Sequence, residues 1–251
     1  MGFSLRMDVL SRAGRYCLGS AVAASGLMQI ITVGYVRLVP QLPAGLPVQA
    51  LGAVATGAVL VLVGGAVLTG YKPRLAAYGL AGLLVILFGL RLPELAPNSG
   101  ALVNPAKVLA LLGGALLLGG GDGLRARVAA MLFGLFFLIC GWAHLQYAGF
   151  VDNMVPAWIP PSQRFWTYFS AGALLAGGVG VMLPPTRRPA GILSGVMIFL
   201  WVPLLHIPLA LKMHNAFELA GVCEAAALAG VAWLVAASAT SKVSKPVISP
   251  G

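Results

Sequence analysis

The stretch Val48-Gln49-Ala50-Leu51-Gly52-Ala53-Val54-Ala55-Thr56-Gly57-Ala58-Val59-Leu60-Val61-Leu62-Val63-Gly64-Gly65-Ala66-Val67-Leu68-Thr69-Gly70-Tyr71 carries no charged side chain and ends at Lys72-Pro73-Arg74. About 20 apolar residues in a helix cross the hydrocarbon of a bilayer. The stretch is therefore long enough to span, and it stops at a basic turn. The rest of the chain repeats this pattern. Of its 251 residues, 59% are hydrophobic and only 9% charged, with a mean hydropathy of +0.94. Soluble domains carry about 25% charged residues. The composition thus excludes a disordered chain, a disulfide-stapled secreted domain and a nucleic-acid-binding module, and it indicates an all-helical integral membrane protein.

Charges and prolines divide the chain into eight apolar segments, near 15–36, 48–71, 74–93, 104–121, 127–149, 164–184, 189–210 and 216–238. Lys107 sits inside the start of the fourth, where a lysine can snorkel to the headgroups. The net charge is +10. On one set of alternate loops lie Arg6, Arg12, Arg15, Lys72, Arg74, Arg125, Arg127, Arg187, Arg188, Lys242 and Lys245 against Asp8 and Asp122. On the other lie Arg37, Arg91, Lys107, Arg164 and Lys212 against Glu94, Asp152, Glu218 and Glu224. The positive-inside rule places the first set, and both termini, in the cytoplasm. The expected location is the inner membrane, multi-pass. The N-terminus has no short apolar core followed by a small-residue cleavage site, so it does not read as a signal peptide.

The two halves share landmarks. Leu90-Arg91-Leu92-Pro93 matches Leu205-His206-Ile207-Pro208 at an offset of 115. Asn104-Pro105-Ala106-Lys107 matches Asn215-Ala216-Phe217-Glu218 at an offset of 111. Val39-Pro40-Gln41-Leu42-Pro43 resembles Val155-Pro156-Ala157-Trp158-Ile159-Pro160. Four helices per unit would send both copies into the membrane the same way, a parallel repeat about the membrane normal. The expected organisation is a cytoplasmic segment 1–14, a first four-helix bundle 15–121, a second 127–238 and a cytoplasmic tail 239–251. The proline-rich external connections belong at the interface. There Trp158 and Trp166 form an aromatic belt or part of a rigid lid over the second half.

The run Gly141-Trp142-Ala143-His144, then Phe150-Val151-Asp152-Asn153-Met154-Val155-Pro156-Ala157-Trp158-Ile159-Pro160, then Phe165-Trp166-Thr167-Tyr168-Phe169, with Leu204-Leu205-His206-Ile207-Pro208 further on, resembles the DoxX-like family. The resemblance covers about 128–238 and reaches the first half only through the repeat. There Met28 or Gln29 stands opposite His144, and Arg91 replaces His206. The family unit is a four-helix membrane bundle, so the resemblance implies two such units fused, the first degenerate. The family takes its name from a small subunit associated with thiosulfate:quinone oxidoreductase, and other relatives accompany redox or maturation enzymes. The function implied is a redox-associated accessory or quinone-interacting subunit. It requires no cofactor, a quinone being the candidate ligand, and its partners are the bilayer, a membrane redox protein or a second copy.

Ionisable residues inside spans mark candidate sites. His144 shares a helical face with Cys140 and Tyr147 and reads either as a helix–helix hydrogen bonder or as a ligand contact. His206 lies between Pro203 and Pro208. Glu224 lies three turns into the last span, neutral or paired. His144, Arg164, His206 and Glu224 form the expected ligand-binding set. Lys107 and Glu218, at matched positions, form an expected inter-repeat pair. Glu218 and Glu224 fall about 240° apart on a helix and are not expected to form a dyad. Cys17, Cys140 and Cys223 lack CxxC spacing, so no metal site is read. An intramembrane Glu224 and a repeat also fit a small-solute or proton-coupled transporter, and sparse polarity fits a structural scaffold.

Overall fold

The computed structural model describes residues 9–42, 48–92, 99–120 and 123–239, and among them every regular element is helical. The long helices are α1 (Val9–Thr32), α2 (Gln49–Thr69), α3 (Pro73–Arg91), α4 (Ser99–Leu118) and α5 (Gly123–Gln146). They continue with short α6 (Ala148–Asp152), α7 (Gln163–Met182), α8 (Arg187–Trp201), α9 (Ile207–Met213) and α10 (Ala216–Ser238). A single π turn, Val202–His206, joins α8 to α9, so Arg187–Met213 reads as one interrupted span. Pro203 within the turn has no backbone donor and cannot complete an α-helical ladder there. Among the described residues, six helices are long and apolar enough to cross a membrane: α2, α3, α5, α7, the α8–α9 unit and α10. The apolar part of α4, Leu102–Leu118, is shorter. α1 begins at Val9 rather than 15 and takes Arg12 and Arg15 into its first turns.

Local chemistry sets the ends. Ser162 and Asn215 cap α7 and α10, their side-chain oxygens accepting from the Phe165 and Glu218 amides at 3.2 and 2.8 Å. Arg187 is buried and donates to the Val181 and Met182 carbonyls at 3.0 and 3.3 Å, closing the end of α7. Gly70 terminates α2 at φ 74°, a conformation that glycine takes without strain.

Small residues let the helices approach at backbone distance. A Cβ on Gly64 would lie 2.7 Å from the Gly19 oxygen, and one on Gly178 2.9 Å from the Gly134 oxygen. These contacts hold α1 against α2 and α5 against α7. α1 also packs along α10, and α4 along α5. The helices of the two halves also pack on each other. α1, α2, α3 and α4 close into a ring through α10, and α5, α7, α8 and α10 close through α4. Two five-helix rings share the α4–α10 edge, because the small residues of α1 and α5 face the other half. Phe133, Phe136 and Phe137 of α5 stack on one another in the core.

Candidate functional site

The shared edge carries the strongest concentration of buried charge. Asn215 starts α10, which puts Glu218 in its first turn, where the helix dipole favours a carboxylate. Glu224 follows roughly 9 Å further along the axis. Arg37 reaches both from the segment after α1. Its guanidinium stands 3.8 Å from Glu218 Oε2 and 3.6 Å from Glu224 Oε2. The neighbouring Leu38 and Val39 are buried and anchor that segment against the helices. From α4, Lys107 Nζ stands 3.0 Å from Glu224 Oε2 and donates to Asn104 Oδ1 at 3.2 Å.

Lys107 is 5% exposed. The expected snorkelling lysine is thus turned inward, because Glu224 offers it a countercharge that lipid does not. Two cations and two carboxylates balance in formal charge. Removing one partner of such a buried set leaves an uncompensated ion, which is the expensive outcome.

His206, the last residue of the π turn, lies against the same cluster. A Cβ on Gly221 would fall 3.0 Å from His206 Nδ1 and 3.7 Å from an Arg37 nitrogen. A larger residue at 221 would press the imidazole, while Arg37 lies at ordinary contact distance. Glu224, Arg37 and Glu218 all act electrostatically on the imidazole, and Lys107 and Glu224 on Cys140. The arrangement places an imidazole and a carboxylate, both able to exchange protons, beside two fixed cations at a helix break.

Of the expected ligand set, His206 and Glu224 come together. His144 faces its own helix, with Nδ1 2.8 Å from the Cys140 carbonyl oxygen. Arg164 is a largely exposed side chain that pairs with Asp152 at 2.8 Å, and Asp152 in turn accepts from Thr167 at 2.6 Å. This second ion pair joins α6 to α7. Trp166 donates to the Pro160 carbonyl at 2.9 Å, while Trp158 is exposed.

The expected Lys107–Glu218 pairing is replaced: Lys107 pairs with Glu224, and Glu218 with Arg37. Glu218 and Glu224 make no dyad but share one guanidinium. The expected match of Arg91 to His206 when the halves are overlaid involves a side chain outside those described. Arg37, Asn104 and Gly221 were not singled out from the sequence. Arg37 offered one signal, as the single charge in an otherwise uncharged external loop. Among the described residues, no three His, Cys, Asp or Glu side chains group as metal ligands.

Against known proteins, a family model described as a domain of unknown function, DUF8561, matches residues 133–231. No curated protein and no solved structure matches the chain.

Proposed function

We propose that the chain is an eight-span inner-membrane protein with both termini cytoplasmic, built as a parallel repeat. We propose further that its buried ion cluster receives the polar headgroup of a quinone-type ligand in support of a membrane redox partner. The charge asymmetry of the loops supports the topology. Packing supports the repeat. Gly26 meets Gly57, and Gly141 meets the Ala171 backbone. Gly14 meets Gly230, and Ala129 meets Gly113. In each comparison the α1 residue and its α5 counterpart are 115 apart. Between α4 and α10 the spacing is 117, which pairs Lys107 with Glu224 and Gly114 with Val231. A two-fold axis along the membrane normal holds matched residues of these two helices at one depth, so opposite charges at matched positions meet.

The observation that carries the function is Glu224. Its Oε2 is buried between Lys107 and Arg37, with His206 beside the cluster at a π turn. Intramembrane carboxylates mark proton and ligand pathways, and single π turns inside helices concentrate at functional sites. A quinone needs donors for its carbonyls and a proton source on reduction. Arginine, lysine and histidine supply the first, and the carboxyl–imidazole neighbourhood the second.

The test is organic extraction of the purified full chain. Wild type should retain near-stoichiometric quinone, and His206→Ala should lose most of it while still eluting as a folded species. Quinone-free wild type from quinone-replete membranes would overturn the reading.

A proton-coupled transporter is the second reading, favoured by the cluster's place at the seam between halves, where transporters of repeat design bind their solutes. Solute-dependent proton flux in proteoliposomes, lost in Glu224→Gln, would select it.

A further inference from the structure

A second polar feature lies in the first half. Ser25 and Gln29 sit one turn apart on α1, and both are 0% exposed. Gln29 Nε2 has no hydrogen-bond partner, while the Ser25 hydroxyl faces the Cys223 thiol and the Tyr35 hydroxyl faces Thr56. The Thr56 hydroxyl of α2 stands 2.9 Å from Gln29 Oε1 and 2.7 Å from the Gly52 carbonyl oxygen. Its one proton serves a single acceptor. Turning the Gln29 amide round would pair its nitrogen and free its oxygen. One end of the amide is unpaired either way.

Tyr35 approaches Thr56, and a Cβ on Gly52 would fall 2.7 Å from the Tyr35 hydroxyl, so the small residue at 52 makes room for it. Deeper in, Ser25 approaches the Cys223 thiol of α10, one residue before Glu224. Tyr35, Thr56, Gln29, Ser25 and Cys223 therefore form a polar track. It starts at the end of the bundle where α1 stops and α2 starts, and runs inward by about two helical turns.

Buried polar atoms are satisfied by protein or by water in nearly all proteins. An amide and two or three hydroxyls supply the two to four partners that a buried water needs. The groups are uncharged, which disfavours an ion, and lipid chains offer no hydrogen bonds. We infer that this track is a water-binding crevice, entered from the end of α1 and reaching Cys223. It brings water to the flank of Glu224 and gives that carboxylate a proton route, whether or not a quinone binds.

Silver ion tests the crevice, since it travels through narrow aqueous paths, displaces the thiol proton to form a sulfur–silver bond and leaves a cysteine unavailable to N-ethylmaleimide. The full chain in membrane vesicles is treated with silver ion, then denatured and alkylated, and Cys17, Cys140 and Cys223 are read by peptide mass spectrometry. Cys223 should be protected at least tenfold faster than buried Cys140. Ser25→Val and Gln29→Leu should each slow Cys223 at least tenfold and leave Cys17 unchanged. Cys223 as slow as Cys140 in wild type would overturn the crevice. Unchanged Cys223 rates in both variants would overturn its route. Should one variant fail to fold, the Cys223 rate in the other decides.

Discussion

Ser25 and Gln29 on α1 stand 115 residues before Cys140 and His144 on α5, and the glycines around them are spaced alike: Gly19 and Gly26 against Gly134 and Gly141. The backbone packing of the two helices on α2 and α7 is closely similar, yet the polar chemistry differs. In the second half His144 answers its own need by reaching back to the Cys140 carbonyl. Large rings fill the space beside it, with Phe133 and Phe137 where the first half has Leu18 and Val22. In the first half Gln29 turns its amide to Thr56 of α2 instead of its own helix, and that amide is left partly unpaired. One backbone design thus carries two interiors, one self-satisfied and aromatic, the other polar and in need of an occupant. The same divergence appears at the shared edge, where matched positions hold Lys107 and Glu224 and their difference in sign binds the halves together.

The largest effect should follow from making that edge symmetric. Lys107→Glu puts like charges at matched, buried positions, and Glu224→Lys does the same with the other sign. Each should destabilise the folded protein by about 3–5 kcal/mol, the usual cost of breaking a buried pair. The double exchange should recover most of the loss in thermal unfolding in detergent. Pairing Lys107→Glu with Glu218→Lys should recover far less, because Glu218 answers to Arg37. Equal rescue by both exchanges would remove the 117-residue register.

The glycines give the next test. Gly64→Leu and Gly178→Leu insert a side chain where a Cβ alone already meets backbone oxygen. Each should cost about 1–3 kcal/mol or more by overpacking, and by similar amounts. A loss confined to one of them would mean that the two helix pairs are not built alike.

How far these features could be read from the sequence differs by level. Apolar length and punctuation located the helices well, and the last, 216–238, agrees with the structure to the residue. The partner of Lys107 was harder to read, for a physical reason. Asn104 and Asn215 look alike in sequence, but only Asn215 is a helix cap. α4 starts at Ser99 and carries Pro105 inside it, so Asn104 lies within a turn of the helix body. Aligning the two asparagines matches Lys107 to Glu218, six residues short of the Glu224 with which it pairs. The site was half legible. Glu224 and His206 stood out because charge and imidazole are costly in lipid, whereas Arg37 reads as an ordinary loop charge. Gln29 and Ser25 carry no charge and announce nothing until their burial is known.

The two ion pairs should separate next. Arg37→Ala removes the guanidinium that two carboxylates share, one of them deep in the bundle, and should cost about 2 kcal/mol. Arg164→Ala removes an arginine whose side chain is 56% exposed, and should cost less than about 1 kcal/mol despite its shorter 2.8 Å contact. Raising salt should weaken the Arg164 pair and leave the Arg37 cluster nearly unchanged, since screening reaches exposed charges first. Equal costs in unfolding experiments would mean that Arg37 is as well solvated as Arg164.

The smallest expected change in stability is also the most direct test of the comparison between α1 and α5. Gln29→His installs on α1 the group that α5 carries 115 residues later. An imidazole at this position can reach back one turn to the Ser25 carbonyl, as His144 reaches the Cys140 carbonyl at 2.8 Å. That bond satisfies the ring nitrogen internally and takes away the unpaired amide end, while Thr56 turns its proton wholly to Gly52. One new bond and one lost bond nearly cancel, so unfolding should shift by no more than about 0.5 kcal/mol. The interior should nevertheless become drier, and silver protection of Cys223 should slow toward the rate at Cys140. A Gln29→His protein with unchanged stability and unchanged Cys223 reactivity would mean that the amide is not what draws water between α1 and α2. The difference between the two halves would then rest on side-chain volume, Leu18 and Val22 against Phe133 and Phe137, rather than on the amide.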